Sequence, residues 1–536
     1  MRVFLTLACL LLALPVAAVL GSWLLFDAAA LATLVHQAAT VMPGYALQSL
    51  LLAGGVGVGV ALVGVGAATV VSLFRFPGRG VFEWAMLLPM AMPAYVLAYA
   101  YTDALQFAGP VQSALREGLG LDGALWPDVR SLPGAIVLFV LCLYPYVYLL
   151  TRSALSERAV QMMEAARLLG AGLRRRLLEV ALPLARPAVM AGVALALMET
   201  LADYGVGSYF GLTTFTTGIY RAWLSMNDSV AAAQLASGLR AAIAVLLALE
   251  RRAPARLRFA TSRSGPQHPT DAQPVQLHGW LAALAWLLCA LPVLLGFVLP
   301  VGWLGAMLWR EAQHGEVGLP WGRFAQWAGS SLALAAAAAL AATVVSLALA
   351  FALRRREGWG DRVLAGSARV LALGYAVPGA VVALGILMPV AWVQQRFPQF
   401  GMGALATGTV LGLLYAYAVR FSAVALQTVE AGYARIPGSV DETARLLGAS
   451  RGRTFFALHL PLLRRSALAA ALLVFVDVMK ELPATLVLRP FGTDTLAVVA
   501  YNLARDERLA EAALPSLCIV AVGLVPVLLL SRAMRR

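Results

Sequence analysis

The chain has 536 residues, of which 61% are hydrophobic and 13% are charged, and its formal net charge is +14 at pH 7. Soluble globular proteins contain about 45–50% apolar and about 25% charged residues, so this composition excludes an ordinary soluble protein and favours a polytopic membrane protein. The positive charge alone would also suit a nucleic-acid partner, but the positions of the arginines, described below, explain the charge without one.

Runs of about 20 mainly apolar residues are long enough to cross a bilayer as a helix. The sequence contains about 12 such runs and therefore predicts an all-α, polytopic fold. In chain order the predicted spans are 4–26, 47–74, 82–104, 133–151, 187–209, 229–249, 279–308, 328–353, 368–392, 403–428, 466–487 and 512–531.

The first apolar run has two interpretations. Arg2 precedes it and it passes through "PVAAVL", as a secretory signal peptide would. The run then continues through "GSWLLF", which makes it longer than the 7–15 residues of a signal-peptide core. We therefore expect a first helix that is retained in the membrane.

The basic residues cluster in alternate loops. The densest clusters are Arg174–Arg176, the arginines of 251–258, and Arg354–Arg356. Because Lys and Arg concentrate in cytoplasmic loops of membrane proteins, this pattern predicts that both termini are cytoplasmic. This distribution of arginines also explains the net positive charge of the chain without a nucleic-acid partner.

One long polar stretch, 251–278, is rich in Pro, Ser and charged residues. Such a composition is typical of a flexible linker, here on the cytoplasmic side. It divides the chain into two predicted domains, 1–250 and 279–536, with six predicted spans each.

A polar, helix-forming octet occurs twice, as "EAARLLGA" at 164–171 and "ETARLLGA" at 442–449. When 164–187 (the first repeated segment) is aligned without gaps to 442–465 (the second repeated segment), half of the positions are identical. The string "AATVVSL" is also duplicated, at 67–73 and 341–347. This self-similarity predicts two parallel six-helix repeats, related by a pseudo-twofold axis along the membrane normal.

The sequence of each repeated segment predicts a short, rigid cytoplasmic helix between two spans. Glu164 to Leu169 are good helix formers, and Gly170 can end the helix in a left-handed conformation. We expect Pro183 to begin the turn into the next span. An ordinary loop helix is the alternative interpretation, which the matched Glu, Gly and Pro spacing of the two copies disfavours.

The pattern of Glu-Ala-Ala, then Gly, then a hydrophobic stretch ending in Leu-Pro resembles the EAA loop of importer-type ABC transporter permeases. In that family the loop forms a coupling helix that binds in a groove of the ATPase subunit. Leu169 and Leu447 stand where the common family pattern has Asp. The resemblance implies an ATPase-coupling role for Glu164, Ala165, Ala166, Gly170, Glu442, Ala444 and Gly448.

Two further stretches, 199–223 and 480–497, are similar to those of the fused, two-domain permeases of ferric iron importers. With the duplication, this resemblance covers nearly the whole chain. It implies a permease subunit in a bacterial inner membrane that receives ferric iron from a periplasmic binding protein. An ATP-binding subunit dimer on the cytoplasmic side would drive the transport.

Three alternatives stay open. The same machinery could carry thiamine, aminoethylphosphonate or a polyamine. A different class is the ion-coupled secondary transporter, which also has repeats and buried acids but has no use for paired EAA loops. A membrane enzyme is the third possibility, for which the sequence offers no catalytic residues.

No nucleotide-binding or metal-binding motif is found. The chain has a single lysine, Lys480, without the glycines of a Walker A loop, so we expect ATP hydrolysis on a separate subunit and no cofactor. The glycine run 54–66 lies inside a span, where small residues favour close helix packing. The histidines show no metal-ligand spacing, so no firm metal site is predicted.

An acidic residue inside a span costs about 2.5–3.5 kcal/mol at the bilayer centre and usually faces a watery path, and four such residues match between the two repeats. Glu199 and Asp203 are four residues apart, which would place them on one helical face. The second repeated segment begins 278 residues after the first, and the same shift leads from Glu199 to Asp477 and from Asp203 to Glu481. We predict that all four line the substrate pathway, and acidic oxygens suit a hard cation such as ferric iron. The alternative is a structural role, such as an ion pair between Glu481 and Lys480.

Overall fold

The structure of the chain is a computed structural model. It describes residues 2–21, 23, 28–156, 160–225, 231–239, 275–314, 319–354, 359–371, 374, 377–434 and 436–535. The predicted sixth span, 229–249, and the predicted linker, 251–278, lie largely outside these residues.

The described part of the chain is helical almost throughout. A two-residue parallel ladder, β1 (Phe74–Arg75) with β2 (Val275–Gln276), is the only sheet in it. In chain order the α-helices are α1 (Arg2–Gly21), α2 (Ala28–Thr40), α3 (Met42–Leu73), α4 (Arg79–Ala85), α5 (Ala94–Leu105), α6 (Pro110–Leu119), α7 (Leu132–Ala154), α8 (Val160–Leu168), α9 (Leu173–Arg175), α10 (Leu182–Ala202), α11 (Gly205–Tyr209), α12 (Phe215–Tyr220), α13 (231–239), α14 (Trp280–Val293), α15 (Leu299–His314), α16 (Trp321–Leu353), α17 (Trp359–Leu371), α18 (Gly379–Arg396), α19 (Met402–Thr407), α20 (Val410–Tyr433), α21 (Ser439–Leu446), α22 (Arg451–Arg453), α23 (Leu460–Met479), α24 (Pro483–Leu488), α25 (Leu496–Arg505) and α26 (Leu509–Arg535).

Among the described residues, 8 helices are long and apolar enough to cross a membrane. Two bent pairs raise the number to 10 if each pair counts as one span: Arg79–Ala91 with Ala94–Leu119, and Gly379–Arg396 with Pro398–Thr407. The all-α, polytopic fold is therefore confirmed. The predicted eleventh span corresponds to α23, which carries two arginines and Asp477, and the number 12 stays a prediction.

The first of two compact units consists of Val41–Thr217, Gly238–Gly318 and Leu503–Arg536, and we call it the 41–217 unit. Helices α3, α7 and α10 pack together as its core. The glycine run of α3 provides the close contact, because a Cβ atom at Gly64 would lie 3.0 Å from the backbone oxygen of Tyr144. The interpretation of this run as a packing surface is therefore confirmed.

The second compact unit consists of Met1–Thr40, Gly218–Ser237 and Leu319–Asn502, and we call it the 319–502 unit. Its core is formed by α16, α20 and α23, which are the repeat counterparts of α3, α7 and α10. The duplication seen in the sequence is thus repeated in the packing of each unit.

The first helix of the chain belongs to the 319–502 unit, where α1 packs against α17 and α18. Its repeat counterpart, the α14–α15 region, packs in the 41–217 unit against α3, α5 and α26. These compact units therefore divide the chain differently from the duplication, on which the predicted domains 1–250 and 279–536 rest. Those boundaries stay a prediction.

Gly385 gives a direct test of how α1 packs. A Cβ atom at this position would lie 2.1 Å from the backbone oxygen of Pro15, so Gly385→Ala forces α1 and α18 apart. Overpacking of this kind costs about 1–3 kcal/mol, and we expect a lower unfolding temperature in detergent. Gly366→Ala in α17 is the control, because nothing lies within 4 Å of its Cβ position. Equal stability of both variants would contradict the packing of α1 on α18.

Candidate functional site

The helix of the first repeated segment, α8, ends in a hydrogen-bonded reversal of the chain. Gly170 has φ 83°, which is in the left-handed region. Its N–H donates to the Arg167 carbonyl at 3.0 Å, and the Ala171 N–H donates to the Ala166 carbonyl at 2.9 Å. This pair of bonds is the Schellman motif, which satisfies the last carbonyls of a helix.

The second repeated segment closes α21 in the same way. Gly448 has φ 73°, its N–H donates to the Arg445 carbonyl at 2.9 Å, and Ala449 donates to Ala444 at 2.9 Å. The predicted left-handed glycine at the end of each helix is therefore confirmed in both copies. Glycine enters this conformation without the steric penalty that a Cβ atom brings.

Each of these helix ends presents two adjacent leucines to the outside. Leu168 and Leu169 in the first copy and Leu446 and Leu447 in the second are between 81% and 88% exposed. Exposed apolar side chains at matching positions of two repeats indicate contact surfaces for another molecule.

The remaining residues with a predicted coupling role lie on the same two helices. Ala165 and Glu442 are exposed, Glu164 and Ala166 are half-buried, and Ala444 is buried. Ala166 and Ala444 supply the carbonyls that accept the Schellman bonds, so their backbone has an observed structural function. Their contacts with an ATPase stay a prediction.

The expectation that Pro183 begins a turn into the next span is wrong. One helical rod runs from Leu173 to Ala202, and Pro183 lies within it. A proline has no N–H, and its ring clashes with the carbonyl four residues earlier in a regular α-helix. The π-helical segment Arg176–Ala181 comes just before it, where the Leu182 N–H bonds the Leu177 carbonyl five residues back. Thr454–His459 has the same conformation before Pro461.

The four acidic residues do not share the predicted helical register. Glu199 and Asp477 lie within α10 and α23. Asp203, however, is the C-cap of α10, with φ −70° and ψ 132°, and Glu481 follows Lys480, the C-cap of α23. The four-residue spacing therefore does not place each pair on one helical face, because each helix ends between its two acids.

The carboxylate of Glu481 is held by four hydrogen bonds. Its Oε1 accepts from Arg420 Nη1 at 2.9 Å and from the Ala484 N–H at 3.0 Å. Its Oε2 accepts from the N–H and the hydroxyl of Thr485, at 3.1 Å and 2.7 Å. The side chain is 1% exposed. Glu481 thus caps the start of α24 and carries a buried ion pair with Arg420.

Asp203 has the corresponding role in the first repeat. Its Oδ1 accepts a hydrogen bond of 2.8 Å from the Val206 N–H at the start of α11. Lys480 forms an ion pair with Asp477 at 3.0 Å, and Glu481 forms one with Arg420 at 2.9 Å. These contacts give Asp203 and Glu481 a structural function, while a place of the four acids on a substrate pathway stays a prediction.

Sequence reasoning missed Arg420 and the cluster around Asp441 that is described below. At the repeat offset, Arg420 corresponds to Cys142, so the second copy has a charge inside an apolar run where the first has none. This difference between the two repeats was the sequence signal from which a buried role of Arg420 could have been predicted. Among the described residues, no three His, Cys, Asp or Glu side chains lie where they could hold a metal ion.

A duplicated, all-α membrane chain with a capped helix exposed in each repeat has the architecture of a fused, two-repeat transport permease. The family described as binding-protein-dependent transport system inner membrane component matches twice, at residues 60–251 and 342–536. The chain belongs to this family, and it is an inner membrane permease of an ABC importer.

Several curated permeases are similar to the chain. The Fe(3+)-transport system permease protein FbpB 2 of Haemophilus influenzae is 24% identical over 499 residues, which are 90% of this chain and 89% of the relative. The permease PhnV of Salmonella typhimurium, named for 2-aminoethylphosphonate transport, is 32% identical over 31% of this chain and 60% of its own length. The molybdenum transport system permease ModB of Escherichia coli is 28% identical over 24% of this chain and 55% of its own length.

Substituting Glu481 tests its structural role. Glu481→Gln leaves the buried Arg420 guanidinium without its counter-charge, and breaking a buried ion pair in this way costs about 3–5 kcal/mol. We expect a marked fall in unfolding temperature, measured by fluorescence in detergent. Glu117→Gln, at an exposed position, should have no effect. Adding Arg420→Met to Glu481→Gln should restore part of the stability, and failure to do so would contradict the pairing.

Proposed function

We propose that the chain is the membrane permease subunit of an ATP-driven importer for ferric iron. A periplasmic binding protein delivers the iron, both termini are cytoplasmic, and a separate ATP-binding subunit dimer hydrolyses ATP. The observation that carries the iron assignment is the match to the Fe(3+)-transport permease, which covers about nine tenths of both chains.

The two repeated segments support a coupling role. Both helices have the same Schellman end, and both expose a leucine pair, so one rigid surface occurs twice. Burying a leucine side chain in a partner contributes about 1.5–3 kcal/mol, so two pairs supply a substantial part of a stable interface. Since each ATPase subunit offers one groove, a single copy of this chain would serve both subunits of the dimer.

A second candidate substrate is 2-aminoethylphosphonate, which the similarity to the PhnV permease favours. That match is higher in identity but covers 31% of this chain. The substrate must therefore be tested directly, with both compounds in the same assay.

The test of the substrate is uptake into proteoliposomes that contain the chain and its ATP-binding subunit. We expect radioactive ferric iron to accumulate inside only when ATP and the iron-loaded binding protein are both supplied. An excess of 2-aminoethylphosphonate or molybdate should not compete. ATP-dependent uptake of the phosphonate without uptake of iron would contradict the iron assignment and leave the importer class intact.

The coupling role can be tested at the glycines. Gly170→Val and Gly448→Val place a β-branched residue in the left-handed region, which costs about 1–2 kcal/mol per residue and distorts each helix end. In the double variant we expect membrane insertion to persist, while binding of the ATP-binding subunit weakens or ATP hydrolysis is no longer linked to uptake. The readouts are copurification of the subunit and uptake per ATP hydrolysed.

Gly172→Val is the matched control for this experiment. Gly172 lies two residues from Gly170, has φ −65° and ψ 161°, and has nothing within 4 Å of its Cβ position. Valine adopts this extended conformation readily, so transport should be unchanged. Normal uptake by the Gly170→Val, Gly448→Val variant would show that the repeated segments are ordinary connectors.

A further inference from the structure

A buried carboxylate attaches the second repeated segment to the core of its unit. Asp441 lies in the first turn of α21, next to Glu442. Its Oδ2 is 2.5 Å from Arg354 Nε at the end of α16, and its Oδ1 is 3.1 Å from His459 Nε2. His459 is the last residue of the π-helical segment that leads into α23. We call Arg354, Tyr433, Asp441 and His459 the Asp441 cluster.

The cluster is closed to solvent on most sides. The side chain of His459 is 0% exposed and that of Asp441 is 13% exposed. The Nδ1 atom of His459 faces the Tyr433 hydroxyl at 3.4 Å, and its Nε2 atom lies within ion-pair distance of Asp441 without the alignment of a hydrogen bond. The ring of His459 also makes edge contacts with the rings of Phe351 and Tyr433.

Arg354 extends the cluster to the chain just before α21. Its guanidinium donates to the carbonyls of Tyr433 at 3.3 Å, Ile436 at 2.9 Å and Pro437 at 3.0 Å. One arginine thus holds both the end of α20 and the beginning of the repeated segment. Asp441 thus links α21 to the end of α16 through Arg354 and to the segment before α23 through His459. Arg354 also bonds the end of α20.

The first repeat has different residues at the corresponding positions, which are the residue just before its repeated segment and one residue within it. Met163 stands at the register of Asp441, and Ala181 stands at the register of His459. Both are buried, so this side of α8 packs through apolar contacts. The two segments are therefore alike where they are exposed and different where they join their own units.

This difference matters because charged hydrogen bonds are directional. An apolar contact allows a helix to slide or rotate with little loss of energy, whereas a carboxylate that accepts a charged hydrogen bond from an arginine fixes both distance and angle. A buried ion pair is weak evidence for net stability, and its best-attested use is to fix the register of packed elements. The cluster is suited to hold α21 at a fixed orientation.

We propose that Asp441 is a positioning residue that fixes α21 rigidly to the α16–α20–α23 core, so that a displacement imposed on α21 moves these three helices with it. The inference rests on the proposed coupling role of the repeated segments. It makes the two segments unequal: the second transmits movement through an ionic attachment, and the first through apolar packing. Loss of the attachment separates ATP hydrolysis from transport.

Two variants test the inference in the full chain. Asp441→Asn keeps the shape of the side chain and removes its charge. The second variant combines Asp441→Met with His459→Ala and so gives the second segment the residues that the first segment carries at these positions, which keeps it foldable. Glu179→Gln is the control, because Glu179 forms an exposed ion pair with Arg175 in the first segment.

The first measurement is amide hydrogen exchange of the purified chain without any partner. In both variants we expect the amides of 442–449 to exchange at least about tenfold faster, because α21 opens locally when its attachment is lost. The amides of 164–171 should be unchanged. Unchanged exchange at 442–449 in both variants would overturn the inference.

The second measurement uses proteoliposomes with the ATP-binding subunit and the iron-loaded binding protein. We expect both variants to hydrolyse ATP while uptake of radioactive ferric iron per ATP falls at least about fivefold, the lower range of allosteric coupling. A normal uptake ratio in both variants would also overturn the inference. If the wild-type complex takes up no iron, the proposed function fails, and the exchange measurement alone decides whether Asp441 fixes α21.

Discussion

A buried amide or carbonyl of the backbone needs a hydrogen-bond partner, and in an apolar medium each group without one costs several kcal/mol. This requirement makes the apolar stretches helical, and it also decides where a helix can stop. Where α10 and α23 end, the carboxylates of Asp203 and Glu481 accept hydrogen bonds from the N–H groups that open the next short helix. Where α8 and α21 end, a left-handed glycine lets the chain satisfy its own carbonyls. At these four helix ends a specific residue thus lets the backbone groups find their hydrogen-bond partners.

The two repeats use different side chains to provide the hydrogen-bond partners that the backbone needs at helix ends. Glu481 caps α24 and forms an ion pair with Arg420. Asp203 caps α11, and in the first repeat the position that corresponds to Arg420 is Cys142. The second repeated segment is attached through Asp441, and the first through apolar residues. Duplication preserved the outward features, which a partner would contact, and allowed the internal attachments to diverge. Two repeats with matching helix ends therefore differ in how each of these helices joins its own unit.

The sequence was sufficient for the fold class, the duplication and the helix ends at Gly170 and Gly448, because hydropathy, self-similarity and glycine conformation are local properties. It was insufficient where the result depended on which residues meet across the fold. The register argument for the four acids assumed uninterrupted helices, and the breaks before Asp203 and Glu481 removed its basis. Pro183 was expected to begin a turn into the next span, yet a π-helical segment before it accommodates the ring within one helical rod. The partnership of Arg420 with Glu481 joins residues 61 positions apart and leaves no periodic signal.

The placement of α1 has a consequence for how the protein is made. This helix leaves the ribosome well before α18, on which it packs, because α18 is synthesised more than half a chain later. At about 5–20 residues per second, the wait lasts on the order of 20–70 s. During that time the lipids, or the insertion machinery, must occupy the face that Gly385 will later cover. Helix α1 is therefore a late-docking element in cotranslational assembly. A nascent chain that stops before α17 leaves α1 without the two helices on which it packs, α17 and α18, and exposed to membrane quality control.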